Sequence, residues 1–323
     1  MPTSSPSKGN AGARSGSSRP GGNRPGGSRP GDGASHARAA KARLEQERKR
    51  RQQIVFAGIA SVIVVAVVVT LVAVKLAGGK SSTTVASNAP AVLAPGDVVS
   101  TLANIPAAQL ADGAKTNAAS APHPITGQPA LTAAGGASSK VPQIVYVGAE
   151  YCPYCAAERW AVVTALSKFG TFTGLGQTHS ATNDTDPNTP TFSFHGASYS
   201  SPAVSFAPVE EQDTNGAKLD APSALQTTLV GTYDKAPYTG ASSGSSAGGI
   251  PFIDLGNKFI VSGASFDPAL LAGKSMEQVA AAAADPSTKI GQAVQSAAGK
   301  LVADICSLTG GQPTNVCSAF SGT

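Results

Sequence analysis

Apolar residues are distributed unevenly along this chain, and their longest uninterrupted run has the length of a membrane span. Ile54 to Val74 is a run of 21 residues without a charge. As a helix it would be about 31 Å long at about 1.5 Å per residue, close to the hydrocarbon thickness of a bilayer. The run predicts a transmembrane helix over residues 54–77. A cleaved signal peptide is the alternative, but the 53 residues before the run exceed the usual leader.

The C-terminal half instead combines strand-like and helix-like patterns. Gln143–Gly148 is a short apolar run typical of a buried strand, and residues 156–168 have helical character. Two apolar runs joined by Gly256-Asn257 predict a β-hairpin. Ser275-Met-Glu-Gln278 is a capping box that opens an Ala-rich helix. In a second helix, apolar residues at helical spacing form the face that we expect to pack on a sheet: Ile290, Val294, Ala297, Leu301, Val302 and Ile305.

The remaining segments have low complexity. Residues 1–34 contain an Arg-Pro-Gly repeat, and their lack of apolar residues predicts disorder; contact with anionic lipid or nucleic acid is the alternative to a passive tail. Residues 35–53 predict a basic juxtamembrane helix. Residues 78–140 are rich in Ala, Ser, Thr, Pro and Gly and predict a spacer. Within it, the spacing over residues 97–110 predicts one or two short helices that lead into the domain.

Charge predicts the orientation of the chain. Met1 to Gln53 carries 12 Lys/Arg and 3 Asp/Glu, whereas the net charge of the whole chain is +5. Positive flanks stay cytoplasmic, so we expect a single-pass protein of the cell membrane whose C-terminal domain, residues 141–323, is extracytoplasmic. The residues after Gln53 sum to about −4, which argues against a nucleic-acid-binding domain. Sixteen of the 17 aromatic residues lie between Tyr146 and Phe320, so the core is expected there.

A dithiol motif carries the candidate chemistry. Cys152-Pro153-Tyr154-Cys155 lies between the first strand and the helix that follows it. The free N–H groups at a helix N-terminus favour an anion, so Cys152 is the expected attacking thiolate and Cys155 the resolving thiol. Pro153 suits the first helical turn. A zinc or copper site is the alternative, but no second Cys-x-x-Cys or His pair supplies four ligands, so we predict neither a metal nor a cofactor.

A second motif stands about 95 residues further along. In Gly249-Ile-Pro-Phe-Ile-Asp254, Pro251 opens the first strand of the predicted hairpin. One explanation is a trans proline at the start of an edge strand. With both motifs, the sequence resembles the thioredoxin superfamily over roughly Gln143 to Cys317. The resemblance implies a cis-proline at Pro251, which would bring the backbone of Ile250 beside the reactive sulfur.

A closer resemblance rests on three longer segments: Gly148 to Trp160, Gly249 to Asp254 and Cys306 to Cys317. These segments look like a functionally uncharacterised family of membrane-anchored thioredoxin-like proteins of actinobacteria and some archaea. The implied fold class is α/β, a thioredoxin-like fold preceded by one transmembrane helix, with an insertion before the cis-Pro strand and extra C-terminal helices. Cys-Pro-Tyr-Cys is also similar to the glutaredoxin tetrad, but no clear glutathione-binding pattern accompanies it.

Two regions leave alternatives open. Gly170–Gly248 is longer than the corresponding segment of small thioredoxins, with strands expected near Thr191–Phe194 and Ala203–Val209, and it is a lid, a partner surface or a tolerated loop. Cys306 and Cys317 are expected to form a disulfide that pins the C-terminus, worth roughly 2 to 4 kcal/mol. The alternative is a second redox pair that relays electrons to Cys152 and Cys155.

These expectations combine into one leading hypothesis. The chain would be a membrane-tethered extracytoplasmic thiol–disulfide oxidoreductase that acts on dithiols and disulfides of envelope or secreted proteins. Ile250, Pro251, Pro153 and Tyr154 would contact the substrate. The expected partners are such protein substrates, membrane lipid around the single span and a redox partner in the membrane, without nucleic acid. The alternatives are a non-catalytic thioredoxin-scaffold protein for binding or envelope assembly, with a structural Cys152–Cys155 disulfide, and a metal chaperone.

Overall fold

The structure, a computed structural model, describes residues 92–134, 140–240 and 248–322. Within these ranges helices pack on both faces of a mixed sheet, which confirms the predicted mixed α/β class. The strands are β1 (His123–Pro124), β2 (Thr132–Ala134), β3 (Lys140–Gly148), β4 (Thr171–Thr173), β5 (Gly176–His179), β6 (Pro190–Ser193), β7 (Ser198–Ser200), β8 (Ser205–Glu210), β9 (Phe252–Leu255) and β10 (Phe259–Ser262). The α-helices are α1 (Gly96–Ala103), α2 (Ala107–Ala114), α3 (Pro153–Leu166), α4 (Ala224–Tyr233), α5 (Met276–Ala284), α6 (Lys289–Leu308) and α7 (Thr314–Cys317), and short 3-10 helices cover Pro268–Leu271 and Ser318–Phe320.

The central strand of the main sheet is β3. The strand order is β1-β10-β9-β3-β2, and β8 also pairs with β3. β8 runs parallel to β3, and the chain between them crosses over through α3. β9 runs antiparallel to β3, with Phe252 opposite Val147 and Leu255 opposite Ile144. The C-terminal end of β3 and the beginning of β9 therefore meet at one edge of the sheet.

The predicted hairpin is confirmed. β9 and β10 pair in antiparallel register. Gly256 and Asn257 between them have φ values of 63° and 58°. Two successive positive φ angles are what a type I′ turn requires, and Gly and Asn tolerate this conformation better than other residues.

The sheet buries a different core on each face. Side chains of β3 alternate between the faces, as the period of a strand requires. Ile144 and Tyr146 contribute to the larger cluster, together with residues of α1, α2, α3, α5 and α6. Val145 and Val147 contribute to a smaller cluster with residues of α4. The dithiol helix α3 therefore belongs to the larger core.

The C-terminal helices follow the sequence pattern. Ser275 and Gln278 form a reciprocal capping box at the start of α5, as predicted. The six apolar residues predicted to form one face of α6 are all buried. Leu301 and Ile305 of this face meet Ile144 of β3 over the sheet, which confirms the predicted packing.

Part of the predicted spacer belongs to the domain. The predicted short helices are present as α1 and α2, but they pack into the main core, where Leu102 and Leu110 are fully buried. Gly299 of α6 lies so close to α2 that a Cβ on it would overlap the carbonyl of Leu110. A boundary at Lys140 is therefore not what the structure shows. The physical reason is that the apolar faces of the two short helices need a partner surface, and the absence of a side chain at Gly299 lets α2 approach α6 closely.

The region Gly170–Gly248 was expected to be an insertion, but several of its elements form part of the folded domain. The strands expected near 191–194 and 203–209 are present as β6 and β8, and residues 180–189 form the loop between β5 and β6. β8 is part of the main sheet, and α4 covers its second face. β4 pairs with β7 and β5 pairs with β6 in two small sheets. The sequence pattern did not reveal β4, β5 and β7, because strands of three or four residues carry almost no periodicity. It also did not reveal α4, whose apolar residues are not gathered on one face.

Several predictions fall on residues that the structure does not describe. The predicted disordered tail 1–34, juxtamembrane helix 35–53, transmembrane helix 54–77 and first part of the spacer lie outside the described residues, as do residues 241–247. In the described ranges, no helix combines the length and the apolar character that crossing a membrane requires.

Candidate functional site: a dithiol at a helix N-terminus

The dithiol lies where β3 passes into α3. Cys152 is the N-cap residue of α3, and Pro153 occupies its first turn, where the missing N–H of proline has no cost. Tyr154 and Cys155 complete this turn. The sequence therefore places both cysteines correctly, because N-cap preference, proline position and the strand before them are all local signals.

The sulfur of Cys152 lies in a polar setting. The backbone N–H of Cys155 donates to Cys152 Sγ at 3.3 Å, and Cys152 Sγ lies 3.6 Å from the carbonyl oxygen of Ile250. Hydrogen bonding from the Cys155 side chain lowers the pKa of Cys152 against the opposing effect of burial, and the Cys155 N–H and the charge of Arg159 lower it further. These interactions favour the thiolate, which is the nucleophilic form.

The sulfur of Cys155 has the opposite character. Cys155 is fully buried, whereas Cys152 keeps 5% of its surface exposed. Burial raises the pKa of Cys155 well above its ordinary value, and the hydrogen bond to Cys152 adds to this rise. Both thiols are free in the structure. The pair therefore contains one thiol prepared to ionise and one prepared to stay protonated.

Ile250 and Pro251 stand beside the dithiol, although they follow it by about a hundred residues. The Ile250–Pro251 peptide bond is cis, as the resemblance implied. Pro251 is buried and its carbonyl accepts the N–H of Gly263, while Ile250 is half-buried. Because β9 pairs with the end of β3, the Ile250–Pro251 pair that precedes β9 is brought to Cys152. This juxtaposition depends on the sheet register, which the sequence does not show.

Pro153 and Tyr154 face different surroundings. Pro153 is buried, whereas Tyr154 is 47% exposed. Of these two predicted substrate-contacting residues, Tyr154 therefore offers a side chain to solvent next to Cys152.

A buried ion pair below the dithiol was missed by sequence reasoning. Arg159 and Glu210, both with 0% side-chain exposure, form a two-pronged pair at 2.8 Å (Nε to Oε1) and 2.6 Å (Nη2 to Oε2). Arg159 Nη2 also donates to the carbonyl of Ala149 at 2.7 Å. Burial by itself disfavours the arginine charge, but the neighbouring Glu210 raises the pKa of Arg159. The charged pair thus ties α3 to the end of β8 and to the loop before Cys152.

A second buried carboxyl group on α3 faces the other way. Glu158 accepts hydrogen bonds from the backbone N–H of Ser265 at 2.7 Å and from its hydroxyl at 3.1 Å. Burial raises the pKa of Glu158 to about 7. The adjacent residues Glu158 and Arg159 therefore anchor the dithiol helix to two different parts of the domain. A charged pair inside an otherwise apolar helix was the available sequence signal.

The β5–β6 hairpin holds the same helix from a third side. Trp160 Nε1 donates to the carbonyl of Pro190 at 2.9 Å, and the Thr191 hydroxyl donates to the carbonyl of Ala156 at 2.8 Å. The Ser193 hydroxyl donates to Glu150, in the loop before Cys152. This hairpin is therefore fastened to the dithiol loop and helix, which is not what a merely tolerated loop would do.

Cys306 and Cys317 form a disulfide, as expected for the C-terminal staple. This disulfide lies at the end of the sheet opposite the dithiol. Leu308, two residues after Cys306, approaches Gly256, and the neighbouring Leu255 pairs with Ile144 of β3. Four residue steps along β3 lead from Ile144 to Gly148, roughly 13 Å at about 3.3 Å per residue, and Cys152 lies beyond. In the folded chain the two cysteine pairs are not in contact, which favours a structural staple over a direct relay between them.

A metal site is the alternative use of cysteine and histidine side chains. In the part of the chain that the structure describes, no three His, Cys, Asp or Glu side chains come together as a metal-ion site.

The fold and the site together define a mixed α/β protein with an asymmetric dithiol at a helix N-terminus. A model of a family described as a domain of unknown function (DUF929) matches residues 133–307, more than half of the chain. The chain therefore belongs to this family. The matched range contains the dithiol, Arg159, Glu210 and the Ile250–Pro251 bond. No curated protein and no solved structure matches the chain.

Proposed function

We propose that this protein is a thiol–disulfide oxidoreductase with a thioredoxin-like domain. The observation that carries the proposal is the contrast between the two cysteines of one motif. Cys152 caps a helix, accepts an N–H and has a lowered pKa, whereas Cys155 is buried with a raised pKa. An attacking thiol and a resolving thiol need this difference.

The arrangement of the core elements supports the fold assignment. A parallel pair, β3 and β8, is followed by the antiparallel hairpin β9–β10. α3 and α6 pack on one face of this sheet and α4 on the other. The strand that follows the cis-proline begins next to the dithiol. These are the features that the resemblance to thioredoxin-like proteins implies.

The proposed reaction is a two-step exchange. The Cys152 thiolate attacks one sulfur of a substrate disulfide, forms a mixed disulfide and releases the other substrate sulfur as a thiolate, which takes a proton. Cys155 then attacks Cys152 Sγ, so that a Cys152–Cys155 disulfide forms and the second substrate thiol leaves with the proton of Cys155. The substrate is reduced and the protein dithiol is oxidised. The reverse sequence oxidises a substrate dithiol.

Substrate contact is assigned to the surface around Cys152. The carbonyl of Ile250 lies 3.6 Å from the sulfur and Tyr154 is 47% exposed beside it. An extended substrate segment would form main-chain hydrogen bonds beside Ile250 and Pro251, and Tyr154 would cover an apolar side chain of that substrate. We keep the membrane tether and the extracytoplasmic location as predictions from the sequence.

The test is an exchange assay with the purified full chain. We expect reduction of insulin disulfides or oxidation of a reduced protein substrate, together with a Cys152 thiol that titrates below its ordinary range. Cys152→Ser should abolish both properties. The double variant Cys306→Ala/Cys317→Ala is the matched control, because it removes two cysteines far from the dithiol and should keep the exchange activity. Activity in neither direction, with Cys152→Ser indistinguishable from the wild type, would refute the proposal.

One observation favours a second candidate, a non-catalytic scaffold with a structural Cys152–Cys155 disulfide. Cys152 is only 5% exposed, which restricts the approach of a substrate sulfur. The reduction potential separates the candidates. A value well below about −270 mV would support a structural bridge, a value near about −270 mV a reductase, and one above about −150 mV an oxidase.

A further inference from the structure

Two buried polar groups beneath the dithiol are not used by the hydrogen bonds of the fold. In the part of the chain that the structure describes, the hydroxyl of Tyr146 and Nη1 of Arg159 are buried and have no hydrogen-bond partner. Both residues are fully buried. Leaving a buried donor unpaired is costly, because the group loses its water and gains no partner in the protein. Two such donors in one place suggest that they have a partner at some stage of a reaction.

Both groups lie close to the dithiol. Arg159 follows Cys155 by four residues on α3, one helical turn further along the same face. The Tyr146 side chain extends along β3 toward the dithiol, because a Cβ on Gly148 would overlap its hydroxyl. The Arg159 guanidinium carbon lies 5.9 Å from the centre of the Tyr146 ring. Arg159 and Tyr146 thus line the space below the N-terminal turn of α3.

The rest of the arrangement holds Arg159 in place. Its Nε and Nη2 are engaged by Glu210 and by the carbonyl of Ala149. Only Nη1 remains for another acceptor. The ionisable groups that act on Cys155 are Cys152 and Arg159 from its own helix, and those that act on Arg159 from the neighbouring strands are Tyr146 and Glu210.

We propose that Arg159 and Tyr146 stabilise the anionic sulfur of Cys155 in the second step, as it attacks the mixed disulfide. This inference rests on the proposed function. In that step the Cys155 S–H bond is broken, the Cys155–Cys152 sulfur bond forms and the substrate sulfur leaves with the proton. Negative charge develops on a fully buried sulfur, which an apolar environment would oppose. A fixed cation and a hydroxyl donor offset that cost without moving.

The key variant is Tyr146→Phe, which removes only the unpartnered hydroxyl. Because that hydroxyl satisfies nothing in the fold, the variant should be at least as stable as the wild type. Tyr199→Phe is the matched control. The Tyr199 hydroxyl donates to the carbonyl of Leu166 at the far end of α3, so its loss should lower stability and leave the exchange steps unchanged.

The assay separates the two steps. The full chain, with Cys152 and Cys155 reduced and Cys306–Cys317 oxidised, is mixed with dithiobisnitrobenzoate, an aromatic disulfide with a coloured thiolate product. The first product molecule reports attack by Cys152, and the second reports attack by Cys155 on the mixed disulfide. For Tyr146→Phe we expect the second phase to slow about tenfold, as expected for the loss of one hydrogen bond to a charged group, and its pH midpoint to rise. The first phase should change less than about twofold.

Arg159→Lys supplies a second check, since it keeps a positive charge and removes Nη1. It also removes the two-pronged contact with Glu210 and the contact with Ala149, so only the ratio of the two phases is compared for this variant. We expect the second phase to slow relative to the first. An unchanged ratio of the two phases in both variants would overturn the inference, and so would a loss of stability in Tyr146→Phe. If the wild type itself shows only one phase or none, the proposed function fails instead, so the two failures are distinguishable.

Discussion

Glu158 on the dithiol helix makes the stability of this protein depend on pH in a direction opposite to that of an ordinary salt-bridged carboxylate. Its two oxygens accept the N–H and the hydroxyl of Ser265, and its side chain is fully buried. Burial raises its pKa from the ordinary 4.5 to about 7. The folded chain therefore holds a proton that the unfolded chain releases at lower pH.

The magnitude follows from linkage. A tenfold change in proton affinity corresponds to about 1.4 kcal/mol, so the rise from 4.5 to about 7 amounts to about 3 kcal/mol. Because the folded pKa is raised, the contribution of Glu158 is fully present below pH 4.5 and is lost as the pH rises through about 7. Glu158→Gln removes the charge, and its amide can still accept from and donate to Ser265. We expect the variant to match the wild type near pH 4 and to exceed its free energy of unfolding by up to about 3 kcal/mol at pH 8.

The assay is denaturant unfolding of the full chain at pH 4, 6 and 8, with the variant compared with the wild type at each pH. Glu277→Gln is the control, because Glu277 is fully exposed and the hydrogen bond from Ser275 lowers its pKa. The difference in the free energy of unfolding between Glu277→Gln and the wild type should change with pH in the opposite direction. A Glu158→Gln difference that is flat across this range, or a variant less stable than the wild type at pH 8, would refute the reasoning.

Further predictions concern packing, the staple and a second buried carboxyl. Gly299→Ala should destabilise the domain by about 3 kcal/mol or more in thermal unfolding, because its Cβ would overlap the backbone of α2. Gly231→Ala has open space around it and should stabilise α4 by about 0.5 to 1 kcal/mol in the same measurement. Cys306→Ala/Cys317→Ala should cost roughly 2 to 4 kcal/mol in denaturant unfolding; an unchanged midpoint would contradict a stapling role. Asp254→Asn should raise the unfolding midpoint at pH 8 and not at pH 4. Burial raises the pKa of Asp254 to about 6, so its stabilising effect is lost as the pH rises through that value. Equal shifts of the midpoint at both pH values would argue against this dependence.

Local signals in the sequence were sufficient for the elements that carry the dithiol. A strand of apolar residues, a cysteine at an N-cap and a proline in the first turn all act within a few residues of one another. The turn at Gly256–Asn257 and the capping box at Ser275 are local in the same way. These interactions depend on backbone geometry and nearest neighbours, so the order of residues is enough to reveal them.

Contacts between distant residues decided the chemical environment of that dithiol. Glu210 follows Arg159 by 51 residues, and only the parallel pairing of β3 with β8 brings the two together below the dithiol. In the same way, the antiparallel pairing of β3 with β9 brings Ile250 to Cys152. The packing of α2 on α6 draws part of the predicted spacer into the core.

The sequence by itself therefore determined that this protein has a dithiol at a helix N-terminus, followed at a distance by an Ile-Pro strand. Only the tertiary structure decided which buried groups surround each sulfur and how far the second cysteine pair lies from the first. The physical reason is that thiol reactivity depends on burial and on nearby charge, and both quantities are summed over residues that are close in space and far apart in the chain.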